Sequence, residues 1–355
     1  MAMVKKLSVT VLSIVLAICL KAQDSTKIQT PTPSTVFTYS IDAYYRSDFA
    51  GKSTNNKTSF TNSTNSFELG MASIRVDHSF GKIAATADLG FGRRAQEFSY
   101  NDGSGFPTGS GNNYSSLAAV KQAYISYAPT SKLKFTLGKW VTHFDNEVVD
   151  AYANRNYSMS YLFTYGPFFH TGVKADISLG GKTALMVGIA NPTDFTTTNT
   201  SAKMFLAQLS TGTKNDKFKA ILNYQNGSIS NYSNVNQIDL ILLGILSNKF
   251  SINYDGTIAN IAGKSWNSNV FYFNYDPSNK FGFTLRTEYF DDTKNIVGVG
   301  SSVFATTLSA NIHIDNLTII PEIRFDNARD QIFLNSSNAN TTGAGNLLVA
   351  AVYKF

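Results

Sequence analysis

The stretch Leu347-Leu-Val-Ala-Ala-Val-Tyr-Lys-Phe355 has the spacing of a β-strand. Successive side chains of an extended chain point to opposite faces, so the odd-numbered positions share one face, which ends in the rings of Tyr353 and Phe355. The even-numbered positions share the other face and are apolar until Lys354. This alternation predicts a strand that continues to the last residue of the sequence.

The same alternation dominates the chain from Val36 onward. It defines sixteen candidate segments of about ten residues, the length that a tilted strand needs to cross a bilayer. The second segment changes phase after Met71, which predicts a β-bulge near Ala72 and Ser73. The segments at residues 202–210 and 235–246 are apolar on both faces. A clear example of alternation is the first segment, with Phe37, Tyr39, Ile41, Ala43 and Tyr45 on one face.

The predicted connections alternate between short turns and long polar loops. Every connection other than the short turns is expected to be long, so that seven short turns and eight long loops alternate. That rhythm is typical of a transmembrane barrel with short periplasmic turns and long extracellular loops. The short turns are at residues 79–82, 128–132, 180–182, 211–216, 247–249, 276–280 and 315–316. The clearest long loops are at residues 47–65, 95–116, 141–167, 191–201 and 327–344.

The composition agrees with a barrel. Charged residues make up only 15% of the 355 residues, while the chain holds 26 Phe and 18 Tyr. Low charge with many aromatic residues suits strands that alternate between lipid and water. We therefore predict an all-β fold, a transmembrane antiparallel up-and-down β-barrel of about 16 strands, with 14 as the alternative. A soluble β-sandwich is less favoured, because it does not require the regular alternation of loop lengths.

The N-terminal segment predicts export. Lys5 and Lys6 precede an apolar run from Leu7 to Leu20, and Ala22 follows. This pattern predicts a signal peptide over residues 1–22, a periplasmic lead-in over 23–35 and a barrel over 36–355. Lipoprotein processing at Cys19 is less favoured, because the large Ile18 precedes it. Removal of the signal would remove three lysines and no acid, lowering the formal net charge of +6 by three, and no basic cluster indicates nucleic-acid binding.

The middle of the chain resembles the OmpL-like putative β-barrel porin family of Bacteroidota outer-membrane proteins. The resemblance covers residues 119–194, and Met159 stands where the family pattern has a basic residue. It implies an outer-membrane location and a pore. Tyr353 and Phe355 likewise resemble the assembly signal of outer-membrane barrels, which implies recognition by the barrel-assembly machinery. The matching segments are residues 122–129, 137–140, 146–150, 156–161, 167–172 and 188–192.

Charged side chains on the inward-facing positions are candidate pore-lining residues. Arg or Lys facing lipid at the bilayer midplane costs about 2–4 kcal/mol, so these side chains are expected to face water. Opposed charges could orient polar solutes and set ion preference; alternatively, they are simply solvated or paired wall residues. The candidates are Asp42, Arg46, Asp88, Arg94, Lys174, Asp176, Arg286, Glu288, Glu322 and Arg324.

The third long loop, predicted at residues 141–167, is the candidate constriction. Its Val148-Val149 and Leu162-Phe163 pairs are too apolar for a segment extended into water. We expect the loop either to fold inward and narrow the pore, with Arg155 facing Glu147 or Asp150, or to form a structured surface cap. The candidate constriction residues are His143, Asp145, Glu147, Asp150, Arg155 and Tyr157.

Three classes of function remain at this point. A barrel of about sixteen strands is wide enough for an aqueous channel, which favours a porin passing small polar solutes by diffusion. A surface-exposed binding or interaction protein is the alternative. A hydrolase is less favoured, because no recognised nucleophile, phosphate-loop or zinc-helix motif is present. We predict no catalytic residue, no metal and no cofactor. The expected partners are outer-membrane lipid, small polar solutes and, if the chain forms a homo-oligomer, further copies of the chain.

Overall fold

The computed structural model describes residues 32–103, 115–230 and 233–355. The predicted signal peptide and most of the lead-in lie outside these residues. The compact unit Ser34–Phe355 is an antiparallel β-barrel. Its first strand begins at Ser34, so the last two residues of the predicted lead-in are part of the barrel.

Within the described residues, sixteen strands close the barrel, as the alternation predicted. Each strand pairs with its neighbour in sequence, and the last pairs with the first. A small hairpin lies in the final loop. The strands are β1 (Ser34–Asp48), β2 (Ser66–Phe80), β3 (Ile83–Phe91), β4 (Val120–Thr130), β5 (Leu133–Val141), β6 (Phe169–Gly180), β7 (Thr183–Ala190), β8 (Met204–Gly212), β9 (Phe218–Ser230), β10 (Ser233–Ile245), β11 (Phe250–Ile261), β12 (Lys264–Ser278), β13 (Phe281–Asp291), β14 (Ser302–Ile314), β15 (Leu317–Ala328), the hairpin strands β16 (Phe333–Leu334) and β17 (Asn340–Thr341), and β18 (Gly343–Lys354).

In the described parts of the chain, helical structure is confined to the loops. The helices are α1 (Arg93–Phe98), α2 (Tyr100–Gly103), α3 (Ser115–Ala118) and α4 (Tyr161–Tyr165), with 3-10 turns at Ser53–Asn55 and Ala151–Ala153. Among the described residues, none of these helices combines the length and the apolar character needed to cross a membrane.

Closure of the barrel depends on the two terminal strands. Tyr39 and Phe355 exchange two backbone hydrogen bonds, at 2.9 and 3.0 Å. Their rings stack with centroids 5.1 Å apart, and the Tyr353 ring lies 5.3 Å from that of Phe355. The terminal aromatic residues therefore cover the seam at the end of the barrel that carries the short turns.

The bulge in the second strand lies before the predicted position. Asp42 pairs with Met71 and Ala43 pairs with Leu69, so Gly70 is the extra residue rather than Ala72 or Ser73. A Cβ atom at position 70 would meet the Asp42 carboxylate and the Tyr157 hydroxyl. The bulge thus occurs where only glycine lets the strand approach these side chains.

Two of the eight connections expected to be long are short. β11 and β12 are joined by Ala262 and Gly263 alone, with φ values of 51° and 84°. This is the positive-φ geometry of a two-residue hairpin turn. β9 and β10 are likewise separated by only residues 231 and 232. The expectation of uninterrupted alternation was wrong here, because the strands themselves extend farther than the sequence pattern indicated.

Candidate functional site

The third loop (residues 142–168) lies inside the barrel. It connects β5 to β6, yet its residues hydrogen-bond to the opposite wall, formed by β13, β14 and β15. Tyr157, Met159 and Tyr161 are fully buried. Asn156 Nδ2 donates to Ser309 Oγ at 2.6 Å across the interior.

A buried ion pair joins the loop to β13. Arg286 Nη1 lies 2.5 Å from Glu147 Oε1, and the two side chains are 2% and 5% exposed. The same Nη1 donates to the carbonyl of Ser158 at 2.6 Å. Glu147 Oε2 accepts from the backbone N–H and the hydroxyl of Ser160, at 2.8 and 2.9 Å. Both charges are therefore paired and hydrogen-bonded, as burial of a charge requires.

Two wall carboxylates bind the loop backbone. Glu322 on β15 accepts from the N–H groups of Tyr157 and Ser158, at 3.0 and 3.3 Å. Glu288 on β13 accepts from those of Tyr161 and Leu162, at 2.8 and 2.7 Å. The latter two N–H groups open helix α4 and have no partner within the helix. These carboxylates thus satisfy loop donors that would otherwise be buried without acceptors.

Arg324 on β15 completes this side of the attachment. Its Nη1 donates to the carbonyl of Met159 at 2.7 Å, its Nε donates to Asp326 at 2.8 Å, and its guanidinium lies 5.2 Å from the Tyr161 ring centre. The Met159 side chain packs among aromatic rings that include Phe163. An apolar side chain therefore fits at this position, where the family pattern has a basic residue.

The loop is also attached to the wall near β1 and β3. Tyr157 Oη donates to Asp42 at 2.5 Å. Arg94, in helix α1, donates to the carbonyls of Val149 and Tyr157, at 3.3 and 3.1 Å, and its Nε lies 4.0 Å from Asp42. Because the third loop binds both this wall and the wall of β13 and β15, it crosses the lumen.

Two cavities lie on the β9–β12 side of the loop. The larger, of about 570 Å³, is at the end of the barrel that carries the long loops. We call it the vestibule; Tyr165 and Phe168 of the third loop and Gln225, Gln237 and Trp266 of the wall line it. A smaller cavity, of about 130 Å³, is lined by Arg155 and Tyr272 nearer the short turns.

The chain matches a known protein family over the whole barrel. The model of the family described as "putative beta-barrel porin-2, OmpL-like" (BBP2) matches residues 35–355. The chain belongs to this family. It is accordingly an outer-membrane porin, an integral β-barrel of that membrane. No curated protein is detectably similar in sequence.

Solved porin structures share the fold at low sequence identity. The outer membrane channel DcaP of Acinetobacter baumannii is 11% identical with a TM-score of 0.58, covering 94% of this chain and 100% of that one. The anion-selective porin from Comamonas acidovorans is 12% identical with a TM-score of 0.59, covering 91% and 100%. The trimer form of OmpT from Vibrio cholerae is 12% identical with a TM-score of 0.56, with the same coverage.

The remaining predicted wall charges of the porin lie in different surroundings. Arg46 is buried 3.8 Å from Asp48 and donates to the carbonyl of Ser63 in the first loop. Lys174 and Asp176 lie 3.7 Å apart and are 19% and 31% exposed. The candidate pore-lining set therefore divides into residues that bind loops directly, Asp88, which is linked to the third loop through Lys121, and this more exposed pair.

The predicted partner of Arg155 was wrong. Its guanidinium pairs with Asp276 at 2.6 Å, while Glu147 pairs with Arg286 and Asp150 with Lys121. The reason is that the loop reaches far into the barrel. Arg155 therefore lies beside the end of β12, on the side of the barrel that carries the short turns. The loop carboxylates that are close to Arg155 in sequence, Glu147 and Asp150, instead form ion pairs with cations of the wall.

Lys121 was missed by the sequence reasoning. Its Nζ lies 3.0 Å from Asp88 and 2.5 Å from Asp150, which ties β3 and β4 to the third loop. Asp88 pairs with Gln122 and Leu89 with Val120, so Lys121 is the extra residue of a β-bulge and shares the inner face with Gln122. Strict alternation assigned the two to opposite faces.

An apolar cluster on the inner wall was also missed. Trp140, Met186, Met204 and Leu206 are buried together inside the barrel. Met204 and Leu206 explain why the segment at residues 202–210 is apolar on both faces: one face contacts lipid and the other packs on Trp140.

His143, Asp145 and Glu147 are residue types that can bind metal ions, and they lie within five positions of one another. Glu147 is bound to Arg286 and Ser160. In the part of the chain that the structure describes, no group of three or more His, Cys, Asp or Glu side chains is arranged to hold an ion.

Asp194, in the fourth long loop, holds the end of the third loop. Its Oδ1 accepts from the N–H groups of Phe168 and Phe169, at 2.7 and 2.9 Å, and its Oδ2 accepts from Tyr100 Oη at 3.1 Å. Burial raises the pKa of Asp194 to about 7, although these hydrogen bonds act in the opposite direction. The carboxyl group therefore changes its charge near neutral pH.

Proposed function

We propose that the porin lets small polar solutes diffuse passively across the outer membrane, through a lumen that the third loop narrows. The observation that carries this proposal is the attachment of the loop to two walls, through Arg286 and Glu288 on one side and Asp42 and Arg94 on the other. A segment held across the interior reduces the cross-section open to solutes.

The candidate residues take two roles in this proposal. Glu147, Asp150, Arg155 and Tyr157 fix the position of the loop through their wall contacts. His143 and Asp145 belong to the same narrowed region. Of the ten candidate wall charges, Lys174 and Asp176 are the most open to water, and they would meet a passing solute.

The remaining features follow the same proposal. No catalytic step is required. The signal peptide over residues 1–22 is removed on export, and the C-terminal strand with Tyr353 and Phe355 is recognised by the assembly machinery. One fold neighbour is described as a trimer, and association of this porin into homo-oligomers is compatible with that precedent.

Liposome swelling tests the proposal. Proteoliposomes that contain the purified porin are expected to swell in a graded series of neutral solutes, with rates that fall as solute size rises. Lipid-only vesicles and vesicles with heat-unfolded porin are the controls. Proteoliposomes that remain impermeable to the smallest solutes would contradict passive diffusion and favour the interaction protein, whereas lipid hydrolysis would favour the enzyme.

A further inference from the structure

The vestibule has the properties of a binding site rather than of an open entrance. Its walls come from separate parts of the chain: the third loop (Tyr165, Phe168), strands β9 and β10 (Gln225, Gln237) and strand β12 (Trp266). Its volume, about 570 Å³, lies in the range of small-molecule sites, about 300–1,000 Å³.

One wall of the vestibule is a chain of hydrogen-bonding side chains. Thr193 Oγ1 donates to Gln225 Oε1 at 3.0 Å, and Gln225 Nε2 donates to Gln237 Oε1 at 2.7 Å. Gln237 Nε2 then donates to Thr257 Oγ1 at 3.1 Å. Each amide nitrogen carries two hydrogens and each oxygen two lone pairs, so the two glutamines retain capacity to bind a further group. Because these hydrogen bonds fix both amide groups, their remaining donors and acceptors point in defined directions.

Another part of the lining is apolar and aromatic. Tyr165 and Phe168 lie on the loop side, and Val235, Ile261 and Trp266 on the barrel side. Trp266 is fully buried against Phe290, with ring centroids 5.8 Å apart, so this side is rigid. A solute in the vestibule would therefore contact both apolar side chains and the two amides.

The vestibule offers little to a charged solute. None of the described residues that line it is Lys, Arg or His. Of its two acids, Glu97 accepts from the Phe60 N–H and from Asn62 Nδ2, at 2.7 and 2.8 Å, while Asp194 accepts from two backbone N–H groups and Tyr100. The lining itself supplies no cation for an anion, and Arg93, which lies 3.7 Å from Glu97, is already paired with that acid. A cation would find both carboxyl groups already hydrogen-bonded.

We infer that the vestibule is a binding subsite for an uncharged saccharide of one or two rings, and that it discriminates against the corresponding sugar acids. A sugar has hydroxyl groups that donate and accept, matching Gln225 and Gln237, and C–H faces that match the aromatic side. This inference names a solute class for the proposed diffusion function and rests on it.

Tryptophan fluorescence measures binding directly. The chain has two tryptophans, and Trp140 lies outside the vestibule, so in a Trp140→Phe background the emission reports Trp266. The detergent-solubilised full chain is titrated separately with maltose, with maltobionate, in which oxidation at C1 opens the reducing ring and leaves a carboxylate, and with maltitol, in which the same ring is opened without a charge. We expect a saturable change with maltose at a concentration at least about tenfold lower than with maltobionate. Equal responses, or none to maltose, would overturn the inference.

Variants of Gln225 and its neighbours sharpen the test. Gln225→Leu is expected to weaken maltose binding about tenfold or more, because an amide partner of the sugar is lost. Gln225→Lys is expected to reverse the preference toward maltobionate. The matched control is Asn236→Leu, since Asn236 is an exposed amide on β10 next to Gln237 and does not line the vestibule. If Asn236→Leu and Gln225→Leu weaken binding equally, the inference is overturned.

Conductance in planar bilayers separates this inference from the proposed function. A porin that conducts salt but binds neither sugar preferentially retains the diffusion function and loses the saccharide subsite. A chain that binds maltose selectively but never conducts loses the diffusion function, and with it the inference that the subsite serves a transported solute.

Discussion

Arg286 of β13 and Glu147 of the third loop form a salt bridge inside the barrel, with Nη1 and Oε1 2.5 Å apart. They are separated by 139 positions in the sequence. Removing one partner of a buried pair leaves an uncompensated charge, at a cost of about 3–5 kcal/mol. The position of the loop should therefore depend strongly on this contact.

Arg286→Met is expected to release part of the third loop and to raise the single-channel conductance. The variant loses the contact with Glu147 and the hydrogen bond to the Ser158 carbonyl, so docking of the loop should weaken by about 3–5 kcal/mol. Planar-bilayer recordings measure the conductance, and limited proteolysis measures exposure of the loop.

The matched control is Arg155→Met, because this arginine also binds the loop to the wall but its pair with Asp276 is 35% and 44% exposed. Such a pair contributes about 0–1 kcal/mol. Equal conductance in both variants and the parent would show that the Arg286 contact does not hold the constriction.

Lys121→Met is expected to destabilise the junction of β3, β4 and the third loop. Asp88 and Asp150 would lose the cation between them, which costs about 3–5 kcal/mol by the same reasoning. Thermal unfolding, followed by the heat-dependent mobility of the barrel on gels, measures the loss. Recovery of stability in a Lys121→Met, Asp88→Asn, Asp150→Asn triple variant is expected, since no buried charge then remains unpaired there. Failure to recover would mean that Lys121 acts mainly through packing.

The attachment of the third loop near Phe168 is expected to weaken as the pH rises. The pKa of Asp194 has its ordinary value of 3.8 when the third loop is detached, and it is about 7 when the loop is attached and the carboxyl group is buried. The attached (closed) state therefore binds the proton more tightly. Closure is then most favourable below pH 4, weakens between pH 4 and 7, and is constant above that. Hydrogen exchange of the Phe168 and Phe169 amides, corrected for the intrinsic pH dependence, measures the opening.

Asp194→Asn is the control for this pH dependence. The amide oxygen can still accept from both N–H groups but cannot ionise, so the exchange of the two amides should show no residual pH dependence. The same pH dependence in the variant and the parent would assign the effect to another group.

Deletion of Phe355 is expected to slow assembly of the barrel. The deletion removes two backbone hydrogen bonds to Tyr39 and the stacked ring at the seam. Phe355→Ala removes only the ring and should have a smaller effect. The fraction of heat-modifiable barrel after a fixed folding time measures assembly; equal fractions in all three proteins would contradict a role for the seam.

The sequence predicts the barrel well because alternation and membrane thickness are properties of single strands. It does not predict which strand position holds an extra residue. The bulges at Gly70 and Lys121 depend on what the neighbouring strand and the third loop place beside them. The β11–β12 hairpin was missed because Ile261 and Lys264 continue the strands beyond the expected span.

The partners of the loop could not be predicted either. The apolar pairs Val148-Val149 and Leu162-Phe163 correctly suggested that the loop is not extended in water. Which wall residue meets Glu147 depends on the path of the chain through the barrel, and this path places Arg155 near Asp276 and leaves Glu147 to Arg286. Local spacing carries no information about such contacts.

The most direct test of the constriction is the single-channel conductance after residues 146–163 are replaced by a short Gly-Ser linker. The wall contacts of Glu147, Tyr157 and Tyr161 all lie in this segment. We predict a large rise in conductance and the passage of larger neutral solutes, in a barrel that still shows heat-modifiable mobility. An unchanged conductance in a correctly folded barrel would contradict the proposal that the third loop narrows the pore.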